Sequence, residues 1–157
     1  MRPLLILLTL LFALSAAAPV FAAEKPLRVK PSKVSAAKGR EREKQFTEWT
    51  PENEFKLLVD KKAKAGEQMI FFEYHEGKRA YRGIFSKAMN FRGWWWLTVY
   101  SEKDMEAEVN LYKQREMEPV FVVLERNFYT MLFVNSEQVD AARKLVLELG
   151  IEPPVIK

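Results

Sequence analysis

Between Thr50 and Phe85 the spacing of apolar residues changes from helical to alternating. Phe55, Leu58, Val59 and Ala63 recur at three- and four-residue steps and predict a helix with one core-facing stripe. Thr50 before Pro51 reads as its start, a hydroxyl N-cap followed by proline at the first helical position. Gly66 reads as its end. Met69 to Tyr74 and Ala80 to Phe85 are β-prone runs, and the short link His75-Glu76-Gly77-Lys78 makes them a hairpin. Trp94 to Tyr100 is a further strand. Ser101 with Asp104 then resembles a capping box, opening a helix with Met105, Val109 and Tyr112 on one face. Pro119 to Leu124 and Phe128 to Val134 form a second strand pair with a tight turn near Arg126-Asn127. Ser136 is expected to cap a third helix carrying Val139, Ala142, Leu145, Val146 and Leu149, with Gly150 ending it and Val155-Ile156 as a last strand. The order is α-β-β-β-α-β-β-α-β. This is an α+β domain with an antiparallel sheet, β-α-β-β-α-β over 94–157 preceded by an α-β-β unit.

Ahead of Phe46 the pattern is different. Arg2 precedes an apolar run, Leu4 to Leu14, interrupted only by Thr9, and Val20-Phe21-Ala22 places small residues where a signal peptidase cuts. Residues 1–22 are therefore expected to be a cleaved export signal, since the run falls short of the ~20 apolar residues a stable span needs. No second such run follows, so no transmembrane anchor is expected after cleavage, and the protein is expected in the periplasm or secreted. Residues 24–44 hold Lys25, Arg28, Lys30, Lys33, Lys38, Arg40, Arg42 and Lys44 against Glu24, Glu41 and Glu43. With almost no bulky apolar side chain, 23–45 reads as a basic flexible tether. The same charges would attract anionic wall polymers, lipid head groups or nucleic acid, and export removes nucleic acid from that set. The remainder, 46–157, is read as one domain.

Composition narrows the chemistry. The chain has no cysteine, which excludes disulfide staples, thiolate catalysis and a lipoprotein anchor. It has one histidine, His75, in a predicted turn beside Glu76, where solvation is the ordinary state. No carboxylate cluster has ligand spacing, and no glycine-rich phosphate loop or Gly-x-Ser-x-Gly elbow is present. Neither catalysis nor a metal or other cofactor is expected.

The helix and hairpin of 50–85 recur weakly at 100–134, with an offset of about 50 residues. Phe71 falls opposite Phe121 and Gly66 opposite Glu116. Thr50 to Phe55, Ala65-Gly66, Tyr74, Gly77, Tyr81 and Ile84-Phe85 resemble bacterial tandem repeats found beside serine-hydrolase-like domains, with Pro119 and Tyr129 matching in the second unit. That resemblance implies a scaffold or binding role. A second resemblance covers residues 94–157. The strand Trp95-Leu97-Val99, the helix from Lys103, the strands Val120 to Leu124 and Tyr129 to Val134, the helix through Ala141-Ala142-Arg143, then Gly150-Ile151 and Val155-Ile156 look like a SPOR (sporulation-related repeat) domain. This resemblance implies binding of peptidoglycan glycan strands through the sheet face opposite the helices. Where that family carries Gly-Ser-Phe or Gly-Pro-Phe, this chain reads Tyr100-Ser101-Glu102 and Val134-Asn135-Ser136.

The most unusual local feature is Arg92-Gly93-Trp94-Trp95-Trp96. Strand alternation places Trp94, Trp96, Thr98 and Tyr100 on one face and Trp95, Leu97 and Val99 on the other. On an open face, Trp94, Trp96 and Tyr100 would stack on sugar rings, with Tyr129 extending the platform and Arg92 meeting an anionic group. If the first helix and hairpin cover that face, as a sheet apolar on both sides requires, Trp94 and Trp96 are core instead. The expected function is a non-enzymatic exported envelope module that binds wall glycan through Trp94, Trp96, Tyr100, Tyr129 and Arg92. The alternative is a protein-interaction or assembly factor of the cell envelope, which dimerises or captures a protein partner through the same apolar sheet face or its edge strands.

Overall fold

The computed structural model describes residues 27–157. The export signal read over 1–22 and the start of the basic arm lie outside them. The elements are β1 (Val29–Lys30), α1 (Gly39–Glu43), β2 (Thr50–Pro51), α2 (Glu52–Lys64), β3 (Gln68–His75), β4 (Ala80–Ser86), β5 (Trp94–Val99), α3 (Glu102–Lys113), β6 (Met117–Glu125), β7 (Phe128–Asn135), α4 (Val139–Glu148) and β8 (Val155–Ile156). The fold is α+β, and all strand pairing is antiparallel. No helix among the described residues is long and apolar enough to cross a membrane.

Two three-stranded sheets carry the fold, ordered β2-β4-β3 and β5-β7-β6. Each arises from the chain order strand, helix, hairpin, and in each the first strand pairs with the last. The correspondence extends to irregularities. A bulge lies between Met69 and Phe71 in β3 and between Pro119 and Phe121 in β6. Gly66 (φ 77°) and Glu116 (φ 57°) both take the left-handed conformation just after their helices. Glycine suits that geometry; glutamate tolerates it at a cost of roughly 1 kcal/mol.

Two apolar cores flank the β5-β7-β6 sheet. On one face Met105, Val109 and Tyr112 of α3 pack against Val122, Met131 and Phe133. On the other, Phe121, Leu132 and Val134 meet Phe55 and Val59 of α2, Phe71 and Phe72 of β3, and Val139, Ala142, Val146 and Leu149 of α4. Gly83 lets α2 approach β4, because a Cβ there would stand 3.1 Å from Phe55 Cζ. Burying a phenylalanine such as Phe55 contributes ~2–3 kcal/mol. Arg143 ties α4 to the β6 bulge by donating to the Pro119 carbonyl at 2.9 Å and the Glu118 carboxylate at 3.2 Å.

Several expectations need correction. Residues 27–45 are not a free tether. β1 pairs with β8, Ser35 N–H donates to the Gly150 carbonyl at 2.7 Å, and the buried Arg42 guanidinium donates to the Leu149 carbonyl at 2.9 Å. Ser32 donates its N–H to the Val122 carbonyl and accepts from Val122 N–H through its hydroxyl at 3.1 Å. The arm is held by backbone pairing and by isolated inward residues, which leave no periodic apolar signature. The SPOR-like arrangement also departs from its implied form. β8 pairs with β1 rather than joining β5-β7-β6, and α3 and α4 lie on opposite faces of that sheet.

Two helix starts differ as well. Pro51 is the N-cap of α2, while Thr50 pairs with Tyr81 and its hydroxyl donates to the Glu48 carbonyl. The Ser136 hydroxyl donates to the Glu116 carbonyl, and a short 3₁₀ turn precedes α4. The Ser101 hydroxyl, as expected, accepts from Asp104 N–H at 3.0 Å and caps α3.

Candidate functional site

The five residues expected to form a glycan platform do not share a surface. Trp96 lies between the sheets, with ring centroids 5.6 Å from Phe55, 5.4 Å from Phe72 and 5.3 Å from Tyr81. Trp94 is half-buried on the same side. Tyr129 is 9% exposed and packs on the opposite face with α3, so it cannot extend a platform with them. The reason is parity: Tyr129 stands beside Val99, not beside Trp94, Trp96 or Tyr100. Tyr100 and Arg92 are exposed. What remains near the tryptophans is a small cleft of about 190 Å³ between α2 and β5, lined by Lys56, Val59, Asp60 and Trp94 to Trp96.

A larger recess forms where the two hairpin turns meet. Its volume is about 570 Å³, and its walls come from Trp49, the β3 end at Glu73, Tyr74 and His75, the turn at Glu76 and Gly77, and Glu125, Arg126 and Phe128 of the second turn. The hairpins are joined there by an edge-to-face contact between Tyr74 and Phe128, with centroids 5.4 Å apart. Each turn places an arginine at φ 46°, Arg79 in the first and Arg126 in the second. His75 sits edge-on to Trp49 at 5.5 Å, and its Nδ1 accepts from Lys78 N–H at 3.3 Å.

Trp49 is positioned by Arg82 of β4. The guanidinium lies 4.5 Å from the Trp49 ring and 4.1 Å from the Phe46 ring, a cation–π arrangement on both. It also donates to Glu73 at 2.6 Å and to Glu43 at 2.8 Å. A planar fork meeting two carboxylates and two rings fixes the wall that Trp49 and Glu73 present. The Arg82 hydrogen bond holds the Glu43 carboxyl below its usual range.

Two groups in and beside the recess are shifted by their surroundings. Burial, with Glu73 nearby, pushes the Glu125 carboxyl up. The hydrogen bond with Tyr100, together with burial, pushes the Tyr74 phenol up to about 12. The recess thus combines aromatic walls with carboxylates that accept hydrogen bonds. Among the described residues, no group of His, Cys, Asp and Glu has the arrangement to hold a metal ion.

Of this recess, the sequence reading singled out only His75 and Glu76. Trp49, Glu73, Glu125 and Phe128 are far apart in the chain, and only the approach of the two turns unites them. The available signal was the repeat itself, since equivalent hairpins in stacked units bring equivalent turns to one end. No family model, curated protein or solved structure matches the chain.

Proposed function

We propose that this protein is a non-enzymatic envelope module that binds saccharide in the recess between its two hairpin turns. The carrying observation is that one concave site is lined by Trp49 and Tyr74, with the buried Phe128 behind Tyr74, together with Glu73, Glu76 and Glu125. Sugar rings offer apolar C–H faces to aromatic side chains and hydroxyl donors to carboxylates, so this pairing of walls suits them. The export signal read over 1–22 makes wall glycan the saccharide available. The tryptophan strand serves the core, and the ligand seat moves to Trp49.

Glu73 is held by Arg82 and forms part of the wall, which leaves, among the described residues, Glu76 and Glu125 as the carboxylates free to meet sugar hydroxyls. Release of soluble sugar is the readout that separates binding from paired-carboxylate hydrolysis. The alternative reading, an assembly factor, keeps the edge of β5, because the central strand β7 is packed on both faces while Trp95 of β5 stays 54% exposed.

Co-sedimentation with purified peptidoglycan sacculi tests the proposal. The protein is expected to pellet with sacculi, Trp49→Ala to stay in the supernatant, and Trp94→Ala to pellet normally. Failure of the unmodified protein to pellet, or release of soluble sugar from the sacculi, contradicts it.

A further inference from the structure

Strand β5 ends its sheet with one side unpaired. The order β5-β7-β6 gives it a single neighbour, and among the described residues no backbone group outside that pairing bonds to residues 94–99. Exposed edges of this kind are normally shortened, bulged, covered or charged. The other edges with the same role in this molecule follow that rule. β2, which occupies the equivalent position in the first sheet, has two residues and ends in Pro51. The far edge of the second sheet, β6, is bonded by Ser32 at Val122. β5 runs for six residues, Trp-Trp-Trp-Leu-Thr-Val, without a charge, a proline or a bulge.

We propose that β5 is the seam of a homodimer, pairing antiparallel with β5 of a second copy about a two-fold axis at Leu97. The choice of a second copy rests on the self-complementarity of this segment in one register. Facing residues must share a side of the joined sheet, so only pairings of equal parity are allowed. Centring on Leu97 sets Trp96 against Thr98, Trp95 against Val99 and Trp94 against Tyr100. Trp95 and Tyr100, 54% and 56% exposed in the single chain, each gain an apolar neighbour. Aromatic–aromatic and aromatic–β-branched cross-strand pairs of this sort are the favourable ones.

The same register extends to charge. Arg92, just before the strand, comes opposite Glu102 of the second copy, just after it. Both are exposed, and neither side chain has a hydrogen-bonding or ionic partner among the described residues. The two-fold axis makes this pair twice. Moving the axis one residue, to Trp96, would set Arg92 against Tyr100 and leave Glu102 without a partner. An axis at Thr98 would set Arg92 against Asp104, whose carboxylate is already engaged by the Ser101 hydroxyl at 2.7 Å in the α3 cap. Charge complementarity therefore favours the Leu97 register. The product is a continuous sheet of six strands, β6-β7-β5-β5-β7-β6, with no free β5 edge.

Light scattering on the purified protein across a concentration series tests this. A dimer is expected. Arg92→Glu and Glu102→Arg are each expected to raise its dissociation constant about tenfold, and the combined variant to return it to within about threefold of the original. Trp95→Lys, at a side chain more than half exposed, is expected to give a folded monomer by circular dichroism. A protein monomeric at every concentration overturns the proposal. So does a dimer indifferent to Trp95→Lys and to both charge reversals, since its seam would lie elsewhere.

Discussion

Trp96 meets Phe55 edge-on, with ring centroids 5.6 Å apart and planes at 89°. The contact joins the second sheet to α2 and explains why the tryptophan run supports structure more than recognition. Trp96→Ala is expected to destabilise the protein by about 3 kcal/mol, the range for removing a large core aromatic. Trp95→Ala, on the exposed side of the same strand, is expected to change stability by no more than about 0.5 kcal/mol. Urea unfolding of the two variants makes the comparison, and equal losses would contradict the packing described.

The left-handed residues after α2 and α3 give opposite expectations for similar positions. Gly66→Ala should destabilise by about 1 kcal/mol, because it adds a Cβ at φ 77°. Glu116→Gly should stabilise by about 1 kcal/mol, because it removes one at φ 57°. The Glu116 carbonyl that accepts from Ser136 is backbone and survives the change. Thermal unfolding of the pair reads both signs at once.

The arm from Leu27 to Gln45 is expected to stabilise the domain. Ser32→Ala leaves Val122 N–H without its acceptor in a buried place, which costs about 1–3 kcal/mol. Limited trypsin digestion should spare the bond after Arg42, whose side chain is buried. Rapid cleavage there at native concentration would restore the tether reading.

These elements show where the sequence was readable. α2, α3, β3 to β7 and the Ser101 cap each follow from residues adjacent in the chain, where period and capping chemistry act over one or two turns. The arm has no such signature because its anchors are lone residues and backbone bonds to segments about ninety or more positions away, as with Ser32 and Val122 or Arg42 and Leu149. Trp96 was placed on the correct strand face by alternation alone. Whether that face was open depended on α2 and β3 folding over it, which strand periodicity does not encode. The recess at Trp49 and Glu125 is an encounter between two turns, which strand periodicity does not encode and only the repeat hints at.

Glu125 supplies a pH test whose sign follows from its surroundings. Its folded-state pKa is raised, chiefly by burial, so the ionised form is penalised in the folded protein. The penalty is absent below the ordinary glutamate range and is felt in full once pH exceeds the raised folded value. Glu125→Gln is therefore expected to be more stable than the unmodified protein at neutral pH. The difference should shrink toward zero as pH falls below about 4.3, the unperturbed glutamate value. Denaturant unfolding at several pH values follows it, and a variant less stable at neutral pH would reverse the assignment.

The recess is tested most directly by nuclear magnetic resonance with labelled tryptophan indoles, titrating a soluble glycan fragment of peptidoglycan. The Trp49 indole signal is expected to shift in a saturable way, while those of Trp94 and Trp95 stay in place. A saturable shift of Trp94 or Trp95 with Trp49 unmoved would return the ligand to the tryptophan strand, and no shift at any tryptophan would leave the recess without its saccharide.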